Sequence, residues 1–143
     1  MKNPTFEQQF TKIVNAYLKN SLSAYKSCAC FVGNLLNNKD EWGAGRYFSF
    51  DLDGCPSIES INIPEKALKC LKDESNGFYS MKDVCKLETS FLNTLNLEEI
   101  ITSYEERLFK AMEITLQLLR EIHESKGEIV KDYNFAKREL SHV

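Results

Sequence analysis

LEEIITSYEERLFKAMEITLQLLREIHESKG, residues 97–127, is the longest stretch of one unbroken period in this chain. Leu97, Ile101, Tyr104, Leu108, Met112, Leu116, Leu119 and Ile122 recur at three- and four-residue spacing, which predicts one amphipathic helix with a continuous apolar stripe. Asn96 with Glu99 carries the capping signature at its start. Glu98 and Glu99 suit the positive first turn, and Gly127 closes the far end. At 1.5 Å per residue, roughly 30 residues span about 45 Å, longer than a compact domain of this size needs. The stretch therefore kinks near Thr102-Ser103, packs along several partners, or reaches into a second subunit. Phe109, Ile114 and Leu118 widen its apolar surface beyond one stripe. This favours a homo-oligomer with Tyr104, Leu108, Phe109, Met112, Leu116 and Leu119 at the interface.

Reading outward, the segments on the N-terminal side are also helical. Ser80-Met81-Lys82-Asp83 fits the start signature [ST]-x-x-[DE], and Val84, Leu87, Phe91 and Leu95 follow on one face. Asn62-Ile63-Pro64 opens a shorter helix carrying Ala67, Leu68 and Leu71, with Gly77 past its end. At the amino end, Asn3 serves as a cap and Pro4 as the first helical residue of a segment whose Phe6, Phe10, Ile13, Val14 and Tyr17 share a face. Asn20-Ser21 ends it. Tyr25 to Leu36 reads as a second helix, so apolar from Cys28 onward that it must be buried. Residues 37–46 form a polar loop around the only tryptophan. Between 47 and 63 the period changes to two, with a turn at Asp53-Gly54, which predicts a small two-stranded hairpin. Residues 129–140 make a last short helix with Val130, Tyr133 and Phe135. The expected fold is mainly α: a small single-domain helical bundle over 1–143, with a long amphipathic C-terminal helix and the hairpin at 47–63.

Composition limits the function classes. A chain of 143 residues with 43% hydrophobic residues, three prolines and six glycines can bury around two-thirds of its surface, enough for one core. Eighteen basic against 21 acidic residues give a net charge of −3, and no basic run supplies the counterion release that drives nucleic-acid affinity. No apolar run reaches the roughly 18–20 residues of a membrane span, and the first residues lack a signal-peptide core. A cytoplasmic protein without nucleic-acid or membrane partners is expected. Five cysteines at 28, 30, 55, 70 and 85 are an odd set, read as reduced thiols.

Several residues are candidates for chemistry. Cys28 and Cys30 precede a Trp-Gly loop and a distant histidine, an order that resembles papain-like and peptidoglycan-cleaving thiol hydrolases. Those folds carry the histidine on a strand, whereas His123 falls in the last turn of a helix, where a capping or surface role is expected. No second cysteine pair has metal-ligand spacing, so neither a metal nor a cofactor is implied. Asp51-Leu52-Asp53-Gly54 lacks the first and last ligands of a calcium loop. Trp42-Gly43-Ala44-Gly45-Arg46 offers backbone N–H groups, a guanidinium and a stacking face, so Trp42, Arg46 and Tyr47 are the candidate site for a small anion or nucleotide. The carboxylates Glu105, Glu106, Glu113, Glu121 and Glu124 form a solvated face with ordinary i,i+4 partners.

Cys30-Phe31-Val32-Gly33-Asn34-Leu35-Leu36, followed by the Trp-Gly loop, resembles a C-x-x-G-x-L-[LI] pattern of small proteins from phages and bacterial mobile elements. In some of these the C-terminal helix also ends in a segment similar to Leu118-Leu119-Arg120-Glu121-Ile122-His123. The resemblance implies a phage or mobile-element origin and carries no catalytic role. The leading expectation is a non-enzymatic interaction protein, a phage-encoded accessory or anti-defence factor. The alternatives are the anion-binding module on Trp42–Tyr47 and the thiol hydrolase on Cys28 or Cys30.

Overall fold

The computed structural model describes residues 3–23, 30–42, 65–96 and 103–130. They hold five helices: α1 (Phe6–Leu18), α2 (Phe31–Leu35), α3 (Glu65–Ser75), α4 (Met81–Asn96) and α5 (Tyr104–Ser125). No strand occurs among the described residues. The hairpin expected at 47–63 lies outside them. Residues 128–130 are not helical, and the rest of the helix expected at 129–140 lies outside the description. No helix among the described residues is long and apolar enough to cross a membrane.

The framework is the pair α4 and α5, the most extensive helix contact in the fold. The two run antiparallel, as polar contacts at three levels show. Arg107 at the start of α5 donates to the Leu95 carbonyl near the end of α4 at 2.7 Å. The Ser90 and Thr115 hydroxyls meet midway at 3.3 Å. Lys126, just past α5, pairs with Asp83 in the first turn of α4 at 2.7 Å. Between these levels Val84, Leu87, Phe91 and Leu95 face Met112, Leu116 and Leu119 in one buried cluster. α1 packs on α5 and α2, and α2 packs on α4.

Side chains decide where the helices begin. Ser80 and Asp83 form the expected reciprocal cap of α4, at 3.1 and 3.0 Å. The start of α1 differs from expectation. Thr5, not Asn3, is the N-cap, because its hydroxyl accepts the Gln8 N–H while the Gln8 side chain accepts the Thr5 N–H. α5 begins later than its stripe suggested. Ser103 is extended and its hydroxyl accepts the Glu106 N–H, so the helix has 22 residues and starts at the proposed kink.

The four helices whose ends are described stop in one way. Asn20, Asn37, Asn76 and Gly127 take left-handed backbone at φ 59, 64, 54 and 98°. The following N–H then folds back to the carbonyl five residues earlier: Ser21 to Ala16, Asn38 to Gly33, Gly77 to Lys72 and Glu128 to His123. Asparagine tolerates this conformation better than other residues with a side chain, which is why three of the four stops are asparagines. The last stop turns the chain so that Glu128 comes back beneath α5.

Candidate functional site

Trp42 was expected to present a stacking face in a solvated loop. The structure buries it completely, at 0% exposure, in the same cluster as α1, α2 and α4. Its backbone N–H donates to the Lys39 carbonyl at 3.0 Å, a turn that swings the indole inward. A ring with no exposed face cannot stack on a ligand arriving from solvent, which corrects the expectation for this residue. Arg46 and Tyr47 lie outside the described residues.

The thiol candidates divide in the same way. Cys28 lies outside the described residues. Cys30 does not sit within a helix as the sequence suggested. It is the extended N-cap of α2, and its sulfur accepts the Gly33 N–H at 3.3 Å. The thiol donates to Glu88 Oε1 at 2.8 Å, and the Val32 N–H donates to the same oxygen at 2.8 Å. Cys30 and Glu88 together thus satisfy the second and third N–H groups of a five-residue helix too short to hold itself. Glu88 is 1% exposed, and burial pushes its carboxyl upward against the two donors. Burial, with the neighbouring Glu88 charge, also drives the Cys30 thiol well above its ordinary range. Burial likewise pushes Cys85 up to about 11. A buried thiol held protonated is a poor nucleophile. The C-x-x-G-x-L-L segment therefore has a physical reading: cysteine caps, the glycine N–H receives the cap, and Leu35 and Leu36 enter the core.

His123 is in the last turn of α5, as expected, but it is neither exposed nor near Cys30 in its bonding. It is 0% exposed, with Nε2 2.7 Å from the Tyr79 hydroxyl and Nδ1 3.0 Å from Glu128 Oε1. Gln9 donates to the same hydroxyl at 3.1 Å, and the Phe6 N–H donates to Glu128 Oε2 at 2.9 Å. Phe78 lies against the imidazole with ring centroids 4.7 Å apart. Burial lowers the imidazole's proton affinity, and the bond and charge of Glu128 oppose this in part. Burial raises the Tyr79 phenol, and the bond from Gln9 opposes that. The set joins the first turns of α1 to the end of α5.

Shallow clefts open at the surface of the described residues. One, about 280 Å³ between α1 and α2, is lined by Lys12, Lys19, Asn15, Asn34, Asn37 and Asn38. Lys12 is already committed there. Its ammonium donates to the Leu35 carbonyl at 3.4 Å, at the negative end of α2, and burial lowers its proton affinity. Another cleft mixes Lys39, Lys66 and Lys69 with Glu41, Asp73 and Glu74. Among the described residues no group of three histidine, cysteine or acidic side chains could hold a metal ion.

The interface set on α5 also divides. Met112, Leu116 and Leu119 are fully buried within the chain itself, so they pack on α4 and cannot face a second copy. Tyr104, Leu108 and Phe109 are half-buried, with Phe109 edge-on to Tyr17 of α1. The residues added as a widening of the stripe do reach solvent: Ile114 is 42% exposed, and Leu118, one turn on, is half-buried. No family model matches this chain, and no curated protein or solved structure was found to match it.

Proposed function

We propose that this chain is an interaction protein that acts by binding rather than by chemistry, as a homo-oligomer. One observation carries the reading. The groups among the described residues best suited to reactivity, the Cys30 thiol, the Glu88 carboxyl, the Tyr79 phenol and the His123 imidazole, are buried and bonded within the fold. What the described surface offers on its longest helix is contact. Ile114 and Leu118 stand one turn apart beside Arg107, Lys110 and Glu121, an apolar pair rimmed by charge. Tyr104, Leu108 and Phe109 extend the half-buried apolar surface toward the start of α5. The resemblance of Cys30–Leu36 to small phage and mobile-element proteins supports an accessory or anti-defence role for such a binder.

Sedimentation equilibrium of the full chain tests this, with Ile114→Glu as the comparison. A mass that is a multiple of 16.5 kDa in the micromolar range, falling to one chain in the variant, supports the reading. A single chain at every concentration, or an oligomer indifferent to the substitution, overturns the homo-oligomer on α5.

A further inference from the structure

Four side chains from four segments form one line of hydrogen bonds, buried from Gln9 to His123 and partly exposed at its Glu128 end: Gln9 on α1, Tyr79 in the turn between α3 and α4, His123 at the end of α5, and Glu128 beyond it. The ends fix its direction. Glu128 accepts the Phe6 N–H through one oxygen, and its other oxygen lies 3.0 Å from Nδ1, so the proton of that contact belongs to Nδ1. A neutral imidazole protonated there has its lone pair on Nε2. The Tyr79 hydroxyl donates to it, and the phenol oxygen accepts from Gln9 Nε2. One atom of the line is left over: Gln9 Oε1 is buried and has no hydrogen-bond partner.

A second arrangement of the same atoms exists. A proton added at Nε2 makes the imidazolium, which then donates to the Tyr79 oxygen. The hydroxyl hydrogen must turn away and needs a new acceptor. The Gln9 amide, turned over in place, puts Oε1 where Nε2 stood and accepts it. The count of bonds along the line is unchanged. The Glu128 contact becomes an ion pair beside the first turn of α1. We infer that Gln9, Tyr79, His123 and Glu128 form a pH-operated clamp between α1 and α5, in which the two hydrogen bonds on the Tyr79 hydroxyl reverse direction when His123 takes a proton while Nδ1 keeps donating to Glu128, with Gln9 as the acceptor held ready.

Charges facing the imidazole come from each side. Glu128 and, from α4, Asp83 favour the proton, while Lys126 and burial oppose it. Lys126 is itself paired to Asp83 and donates to the Phe78 carbonyl. The balance is therefore set by groups that the reversal does not displace.

Nitrogen-15 NMR of the histidine rings and glutamine amides in the full-length chain tests the clamp. His123→Gln assigns the ring signal, since the chain has two histidines. At pH 8 the neutral Nδ1–H tautomer is expected. On acidification the ring and the Gln9 side-chain amide should shift together, reversibly and with one midpoint. Gln9→Leu removes one bond from each arrangement, but only in the protonated one does it strand a buried hydroxyl hydrogen, so His123 proton binding should weaken by about fivefold to tenfold. The Nε2–H tautomer at pH 8, a Gln9 amide that does not follow the ring, or a ring that never titrates in the folded chain would each overturn the proposal. So would an unchanged midpoint in Gln9→Leu. The wild-type measurements decide the matter even where that variant does not fold.

Discussion

Glu88 gives a direct test of what holds α2 in place. Replacing it with leucine keeps an apolar side chain of similar bulk but leaves the Val32 N–H buried and unpaired, and the Cys30 thiol without its acceptor. An orphaned buried N–H costs about 1–3 kcal/mol, and losing a helix cap about 1 kcal/mol. Because the thiol is a weak donor, Glu88→Leu should destabilise by roughly 2–3 kcal/mol at pH 5. Glutamine behaves differently: its carbonyl can keep both donors while its amide stands in for the protonated oxygen. The pH dependence follows from burial, which raises the Glu88 carboxyl above its ordinary value of 4.5 in the folded chain. The folded state then holds this proton longer than the unfolded state. The stability it contributes is full below about 4.5 and is lost as the pH rises through the folded value. Glu88→Gln does not titrate, so it should gain on the wild type between pH 5 and pH 8, while the penalty of the leucine variant shrinks. Urea unfolding at the two pH values reads this, followed by fluorescence of Trp42, the only tryptophan and a fully buried one. A leucine variant within about 0.5 kcal/mol of the wild type at pH 5, well under the cost of one orphaned N–H, would refute the capping argument. A glutamine difference that is flat with pH would refute the burial argument.

Other consequences are quick to check. Leu116→Ala should cost about 2–5 kcal/mol in urea unfolding, because the residue is wholly buried between α4 and α5. Asn37→Ala should cost about 1 kcal/mol or more, since alanine at φ 64° loses the tolerance of asparagine, whereas Asn37→Gly should be close to neutral by thermal melting. Asp83→Asn should cost about 0.5–1 kcal/mol at pH 7 by removing the Lys126 pair and the charge that strengthens the bond from the Ser80 N–H. Burial pushes the Asp83 carboxyl up, but Lys126 and the Ser80 N–H hold it below 3.8 overall, so that cost should fade as the pH is taken under 3.8. Iodoacetamide followed by peptide mass mapping should leave Cys30 unlabelled at neutral pH until the chain is unfolded. Rapid labelling of Cys30 in the native chain would revive the hydrolase reading.

Much of the helical framework is legible because its causes are local. Val84, Leu87, Phe91 and Leu95 and the Ser80–Asp83 cap lie within one segment, and all do what the spacing predicts. The errors fall where a nonlocal partner or a competing cap decides. Thr5 displaced Asn3 because Gln8 sits three residues on, and glutamine answers the cap as glutamate would. α2 is short because Cys30, the residue that looked like part of its apolar run, is turned out of the helix to cap it with help from α4. The tryptophan loop read as solvated because most of its residues are polar, yet the indole alone carries enough apolar surface to be drawn into the core.

The buried polar side chains were missed for a more instructive reason, since their signal was present. Gln9 falls between Phe6 and Ile13 at the spacing of the α1 stripe, Glu88 between Val84 and Phe91 on α4, and His123 four residues after Leu119 on α5. Each is a polar residue occupying an apolar phase, and each proves buried and hydrogen-bonded across elements. A polar group at such a position costs stability unless a partner comes to it. Interruptions of the stripe therefore mark where two helices meet through polar atoms. What periodicity cannot supply is which interruption pairs with which. Tyr79 and Glu128 lie in turns with no period at all, and they reach the line only because α3 and α5 end in left-handed residues that redirect the chain. The helix stops, written as Asn76 and Gly127, are thus what joins two of these interruptions, Gln9 and His123, into one network, while Glu88 serves a separate site with Cys30 and Val32.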